Sequence, residues 1–200
     1  MVRIFTTDGS CSRNPGPGGY AACEWRTRHI AGYVKNQHGN SEFQEWDELW
    51  LVWVKHETFE NTTNNRMELQ AILEVMKVAE ADTSDAEYLV YSDSAYAINM
   101  IKPGGWIEGW ARNGWINSKN KTVENLDIVK EIYKYRIKIF DKFQLVKVRG
   151  HTGDVKNEIT DAIASRNKKK LEKFILENNI KINNKYLIFN KKYDIIKCKM

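Results

Sequence analysis

Cysteine, proline and long apolar runs are all scarce in this chain of 200 residues. Cys11, Cys23 and Cys198 form no CxxC pair and no even set. That argues for a reducing compartment, with no disulfide framework and no zinc site. The three prolines sit in two clusters, Asn14-Pro-Gly-Pro-Gly-Gly19 and Pro103-Gly-Gly105, both of which read as breaks in regular structure. The longest strongly apolar run, Leu49-Trp-Leu-Val-Trp-Val54, is far short of the roughly 20 residues a membrane helix needs. The opening Met1-Val-Arg-Ile-Phe-Thr-Thr-Asp8 does not read as a signal peptide, so the glycosylation patterns at Asn61 and Asn120 carry no meaning. No internal repeat is present. With 42% hydrophobic and 28% charged residues, the chain is neither disordered nor collagen-like. It is long enough for one ordinary domain with some room beyond.

Charge is unevenly placed. Residues 166–200 carry 11 lysines and arginines against three acids, which leaves 20 basic and 23 acidic side chains in the first 165 residues. A mildly acidic body with a basic tail can bring an anionic polymer to a site that itself needs carboxylates. The same tail also reads as a solvated lysine-rich surface, and composition leaves both readings open.

Apolar periodicity organises the chain. Arg3–Thr7, Tyr20–Arg26 and Leu49–Lys55 read as strands of an antiparallel meander, with His29–Val34 extending the second or forming another. Residues 36–48 are polar and acidic and read as an inserted loop. Leu69, Ile72, Leu73, Met76 and Ala79 follow helical spacing, from a start near Asn64-Asn65 where an asparagine cap is expected. Glu87–Ser92 is a strand, Ala95–Ile101 a short helix stopped by Pro103, and Glu124–Ile139 a helix with Leu126, Val129, Tyr133 and Ile137 on one face. Phe143–Val148 is the fifth strand, and a helix follows from about Asn157. Beyond residue 178 the alternation of Ile180, Ile182, Tyr186–Phe189 and Tyr193–Ile196 suggests a small basic β-meander.

Four acids stand at element ends. Asp8 and Asp93 each leave a strand into a Gly/Ser turn, and parallel neighbouring strands lie about 4.8 Å apart, so such acids can share one cation. Open sheets place ligands beyond the carboxyl ends of their strands. Glu68 falls at the start of the helix after the meander, and Asp161 in the first turns of the last body helix. If the four converge, their repulsion requires divalent cations, and hard oxygen ligands suit Mg²⁺ or Mn²⁺. Spacing alone places each where convergence is possible.

Motifs make this specific. Asp8-Gly-Ser-Cys with Asn14-Pro-Gly-Pro-Gly-Gly-Tyr20, Thr62-Thr-Asn-Asn-Arg-Met-Glu-Leu69, Ser92-Asp-Ser-Ala-Tyr96, and Gly150-His-Thr-Gly153 with Asn157-Glu158 and Asp161 occur in order. Together they resemble the four motifs of the ribonuclease H type 1 family, of the retroviral-integrase-like superfamily. The resemblance covers residues 1 to about 166. It implies an α/β fold: a ribonuclease H-like five-stranded mixed sheet, antiparallel over the first three strands and then parallel, flanked by helices. Residues 1–166 would be the catalytic domain, with an insertion at about 36–48, and 167–200 a basic C-terminal extension formed by a helix end and the meander. It further implies metal-dependent endonucleolytic hydrolysis of the RNA strand of RNA–DNA hybrids, giving 5′-phosphate and 3′-hydroxyl ends, with a place in DNA replication. The alternative is a non-catalytic nucleic-acid-binding module that retains the fold.

By the same resemblance Asp8, Glu68, Asp93 and Asp161 would be the metal-binding catalytic carboxylates. They would hold two Mg²⁺ ions with substrate, Mn²⁺ being the other choice. His151 would assist proton movement or product release; read alone, it is an exposed loop histidine. Cys11, Asn14, Asn64 and Asn65 match positions that touch the hybrid, where asparagines and backbone groups read the 2′-hydroxyls that distinguish RNA. Trp106, Trp110 and Trp115 match handle-region tryptophans that pack as core. Three departures stand out. Ala95 replaces a frequent glutamine, the handle loop offers only Lys119 and Lys121, and the insertion adds Glu42, Glu45, Asp47 and Glu48. The expected partner is an RNA–DNA hybrid, with no membrane association, no separate N-terminal hybrid-binding domain and a monomeric state. The expected setting is cytoplasmic, or the cytoplasm or nucleus of a host for a viral protein.

Overall fold

A computed structural model describes residues 1–182. Strand β1 (Val2–Cys11) runs through the middle of the sheet, antiparallel to β2 (Gly16–Lys35) and parallel to β4 (Glu87–Ser92). Strand β3 (Ser41–Thr62) pairs antiparallel with β2, and β5 (Phe143–Lys147) parallel with β4. A two-residue β6 (Lys181–Ile182) adds a parallel edge to β3, giving the order β5-β4-β1-β2-β3-β6. The five expected strands are present with the expected directions, and β6 is a sixth. The meander expected from residue 180 onward lies, apart from β6, outside the described residues. Among the described residues no helix is long and apolar enough to cross a membrane.

The sheet is covered on both faces because its strands alternate. Phe5, Ala22, Tyr88 and Val90 point into one core with α1 (Asn64–Ala81) and α4 (Leu126–Ile139), while Ala21, Cys23, Trp25 and Leu51 point into another with α5 (Val155–Ala164) and α6 (Lys168–Glu177). Two short helices, α2 (Ala95–Ile101) and α3 (Trp106–Arg112), close the first core at its side. The extension expected beyond residue 166 begins as α6, a separate helix that buries Leu171 against the second core. Burial of one such leucine contributes about 1.5–3 kcal/mol.

Several local expectations change. The turn cluster at residues 14–19 ends early, because β2 starts at Gly16 and absorbs the irregularity as a register shift between Gly16 and Gly18. Helix α1 is capped by Thr63, whose extended backbone lets its hydroxyl accept from Arg66 N–H at 3.3 Å, and Asn64 is already helical. On α4 the buried positions are Ile128, Val129, Ile132, Arg136 and Ile139, whereas Ile137 is 60% exposed. Arg136 turns inward because its guanidinium donates to the carbonyl of Ile101 at 2.6 Å, at the end of α2 where carbonyls lack helical partners, and to Glu108 at 2.6 Å. Trp110 and Trp115 pack on the core as expected, but Trp106 is 48% exposed and sits beside Tyr96 and Trp110.

The largest change is the acidic insertion, which is strand rather than loop. Residues 41–48 pair with 28–35 throughout, beyond the end of β1, as a two-stranded arm. The alternation that reads as polar loop places opposite groups across the ladder. His29 meets Asp47 at 3.0 Å, Tyr33 meets Phe43 edge to face at 5.5 Å, and Arg28 lies 4.2 Å over the Trp50 ring. Because β2 runs antiparallel to β1, with Ala21 opposite Asp8 and Trp25 opposite Ile4, the arm leaves the end of the sheet away from Asp8.

Candidate active site

Parallel pairing of β1 and β4 ends where Thr7 stands opposite Ser92; Asp93 follows just past β4, while Asp8, expected at a strand end, lies inside β1, which continues to Cys11 paired with β2. Glu68 reaches the same place from α1, which lies so close to β1 that a Cβ on Gly9 would stand 2.2 Å from the Glu68 nitrogen. Only glycine fits there. Asp8, Glu68 and Asp93 each bring a carboxylate oxygen within 4.8 Å of the others. Asp8 and Glu68 are buried, and Glu68 Oε2 is sealed from solvent with no hydrogen-bond partner among the described residues.

Asp161 arrives from the opposite face of the sheet on α5. A buried chain of hydrogen bonds fixes that helix to the strands: Trp25 Nε1–H donates to Thr6 Oγ1 at 2.8 Å, Thr6 and Thr160 hydroxyls meet at 2.5 Å, and Thr160 donates to the Lys156 carbonyl at 2.8 Å. Asp161 follows Thr160 directly and contributes to the field at Asp8. With His151 and Glu158 it forms a second group whose potential ligand atoms also lie within 4.8 Å of one another. His151 is exposed, with φ of +53°, and its loop is tied down where Gly153 N–H donates to Glu158 Oε1 at 3.3 Å. A Cβ on Gly150 would lie 2.3 Å from Asp93 Oδ2, so the loop passes directly against that carboxylate.

Electrostatics follow from this crowding. Burial, and then the charges of Asp161 and Asp93, pushes the Asp8 carboxyl well above its usual range. Burial, and then Asp8 and Asp93, does the same to Glu68. Asp93 is raised mainly by burial, with His151 opposing the shift. These acids crowd one another with few compensating donors; the Gly9 N–H works in that sense at both Asp8 and Glu68. Such a set fits hard divalent cations, which replace mutual repulsion by shared coordination.

All four expected acids therefore come together, with His151 beside them. Of the other expected residues, Asn14 and Asn64 meet where Asn64 N–H donates to Asn14 Oδ1 at 3.1 Å, and Asn65 is exposed on the next helical residue. Cys11 turns its thiol to the carbonyls of Arg13, Gly16 and Thr62, so it braces the β1–β2 turn. Three residues to which the sequence reading assigns no role at the site stand out. Glu158 stands three residues before Asp161, a spacing that shares a helix face. Arg66, two residues before Glu68, grips Asp127 with both guanidinium nitrogens at 2.9 and 2.5 Å and joins the starts of α1 and α4. Lys170, from α6, places its ammonium between Glu158, at 2.5 Å, and Asp161. No local signal marks Lys170.

Comparison with known proteins supports the same reading. A sequence model of the RNase H family matches residues 2–169. The chain is 39% identical to "Ribonuclease H" of Syntrophomonas wolfei over 161 residues, covering 80% of this chain and 92% of the relative. It is 35% identical to "Ribonuclease H" of Caldanaerobacter subterraneus over 178 residues, covering 89% and 95%. Among solved structures, "LC9-RNase H1, a type 1 RNase H with the type 2 active-site motif" superposes with a TM-score of 0.55 at 23% identity, over 82% of this chain and 70% of that one. A foamy viral protease-reverse transcriptase superposes with a TM-score of 0.54 at 17% identity, over 82% of this chain and 19% of that one. At these identities the two structures support the fold.

Proposed function

The chain belongs to the RNase H family, and from that premise we propose that it hydrolyses the RNA strand of RNA–DNA hybrids at the Asp8, Glu68, Asp93 and Asp161 cluster. The observation that carries the proposal is Glu68 Oε2, buried among acids and without a partner. A buried carboxylate oxygen of that kind, left without a donor, is suited to a cation, and a proton takes its place in the metal-free protein.

In this reading the four carboxylates hold two Mg²⁺ ions, or Mn²⁺, in the presence of substrate. Bound there, the ions supply an acidified water for attack and neutralise charge on the scissile phosphate and the leaving 3′-oxygen. Asp8, the most central of the acids, touches both groups of potential ligands: the first directly and the second through Asp161. Its backbone position is fixed by β1, so the constellation is formed before substrate arrives. Glu68, enclosed by α1 and Gly9, excludes water from the back of the site. His151, exposed on its loop, is the group able to give or take a proton at the solvent side. Around this centre, Asn14, Asn64 and Asn65 lie on the rim formed by the β1–β2 turn and the start of α1. There their amides can donate to and accept from 2′-hydroxyls. Cys11 keeps that rim in shape. The exposed Lys168, Lys169 and Lys173 belong to α6, the helix that brings Lys170 to Asp161, and their positive charge is suited to phosphates. In this reading the protein acts as a monomer in a reducing compartment, where its few cysteines form no disulfide framework.

The test is a cleavage assay on RNA–DNA hybrid, double-stranded RNA and double-stranded DNA, with Mg²⁺ or chelator, beside Asp93→Asn. Cleavage confined to the RNA of the hybrid, abolished by chelator and reduced by several orders of magnitude in the variant is expected. Hybrid binding without cleavage by the unaltered protein would make it a binding module instead.

A further inference from the structure

The second carboxylate group is already occupied by a cation, and that cation belongs to the chain. After α5 ends, Arg166 adopts a φ of +57° and Asn167 N–H donates to the Ala162 carbonyl at 2.8 Å, so the chain reverses and α6 runs back beside α5. Asn167 caps α6 by accepting from Lys170 N–H at 3.0 Å, and Leu171 anchors the helix in the second core. This fixes the stem of Lys170 over the end of the site. Its ammonium bridges Glu158 and Asp161, its side chain is 21% exposed, and the Phe174 ring lies 5.9 Å away. Burial disfavours the charge, but the two carboxylates outweigh it and hold the ammonium above the usual lysine range. No comparable cation reaches Asp8, Glu68 or Asp93 among the described residues; the Glu68 oxygen is left bare.

Resting on the metal-dependent reading above, we propose that Lys170 is a built-in cation at Asp161 that a divalent ion must displace, so that the metal site sharing Asp161 fills later and more weakly than the one formed by Asp8, Glu68 and Asp93. An ammonium and a divalent ion compete for the same carboxylate lone pairs, and at contact distance they repel each other. The long lysine stem allows the head to swing into solvent while Leu171 keeps α6 in place. Lys170 is thus a positioning residue. It holds Asp161 and Glu158 in register before loading and sets the threshold for loading.

The experiment is metal binding to the full chain without nucleic acid, followed by calorimetry with Mg²⁺ and Mn²⁺, for the unaltered protein, Lys170→Met and Lys170→Arg. Removing one unit of positive charge from a partly buried site strengthens its weaker ion by about tenfold or more at an effective dielectric near 20. Lys170→Met shows that gain, and Lys170→Arg behaves as the unaltered protein. A second measurement needs no variant. Reductive methylation followed by peptide mass spectrometry reads faster modification of Lys170 on adding Mg²⁺, with Lys168 and Lys169 unchanged. Equal isotherms for the unaltered protein and a folded Lys170→Met, or labelling of Lys170 that ignores Mg²⁺, overturn the proposal. Hybrid cleavage by the unaltered protein is measured alongside. Its absence overturns the function proposed above, whereas equal isotherms in a protein that cleaves hybrid overturn only the role of Lys170.

Discussion

Replacing Glu68 by glutamine stabilises the metal-free protein. Glu68 Oε2 has no partner, and oxygens of Asp8 and Asp93 lie within 4.8 Å. Two full charges at such a distance repel by about 3–4 kcal/mol at an effective dielectric near 20, so without metal the carboxyl takes up a proton instead. Its folded pKa is pushed well above the ordinary glutamate value of 4.5. At neutral pH, holding a carboxyl protonated against that value costs at most about 3 kcal/mol, at 1.36 kcal/mol per pH unit. The folded state binds more protons than the unfolded chain above pH 4.5, so stability is lost as pH rises through the folded pKa and kept below the unfolded one. Glutamine carries no charge, can still accept from Gly9 N–H, and can donate to Asp8. In chelator at pH 7, Glu68→Gln therefore melts higher. For a domain of this size the gain is about 2–4 °C per kcal/mol, up to the ceiling of about 3 kcal/mol. The gap shrinks as pH falls below 4.5, where Glu68 becomes protonated in the folded and the unfolded chain alike. Saturating Mg²⁺ raises the melting temperature of the unaltered protein more than that of the variant. Thermal unfolding by circular dichroism across pH, in chelator and in Mg²⁺, reads all of this. A variant that melts at or below the unaltered protein in chelator at pH 7, or a gap that persists in acid, refutes the electrostatic account.

Gly9→Ala forces α1 away from β1, since the new Cβ lies 2.2 Å from Glu68 N; a shift of about 1 Å costs roughly 100-fold in hybrid cleavage, and an unchanged rate would show the approach to be dispensable. Gly150→Ala pushes on Asp93 Oδ2; it lowers cleavage while leaving the melt nearly unchanged, and a large loss of stability would contradict the exposed-loop reading. Thr6→Val leaves the buried Trp25 Nε1–H without its acceptor and costs about 1–3 kcal/mol in urea unfolding; a value near zero would mean that the hydroxyl chain is not what holds α5. Joint replacement of Lys168, Lys169 and Lys173 by glutamine flattens the salt dependence of hybrid binding by about 0.9 log unit for each phosphate no longer neutralised. An unchanged slope would remove α6 from the substrate path, and substitution tests this better than truncation because Leu171 is core.

How much was legible in the sequence depends on whether a feature is local. Asp93 could be placed at a strand end because an apolar run stops there, and Glu68 because helical spacing begins just before it; Asp8, expected at a strand end, lies inside β1. Their meeting could not be read from the chain. It depends on the parallel register of Thr7 with Ser92 and on the approach of α1 to Gly9, both set by tertiary packing. The cap moved by one residue because Thr63 competes with Asn64 for the same role. The arm was misread because its strand pattern alternates charge with aromatic residues rather than polar with apolar. Only the partner strand shows that Asp47 answers His29 and Phe43 answers Tyr33. Nothing in the sequence marks Arg136 as buried on α4, because the carbonyls at the end of α2 that draw it inward are brought there by tertiary packing.

The carboxylates differ in what restrains them, and that difference predicts which step each controls. Asp8 and Glu68 are held by backbone: one in the central strand, the other on a helix pressed against glycine. Neither can move aside to relieve repulsion, so the metal-free protein relieves it by taking up protons, and metal release and proton uptake are coupled there. Asp161 is held by side chains instead. Its helix is fixed through Thr160, but its carboxylate faces Lys170, a cation on a flexible stem. At Asp161 the opposing charge is supplied within the chain, by the Lys170 ammonium. Acidifying the solution should weaken the ion at Asp8 and Glu68, whereas removing the lysine charge should strengthen chiefly the ion at Asp161. The two perturbations thus act at opposite ends of the pocket, because the fold neutralises its two halves by different means.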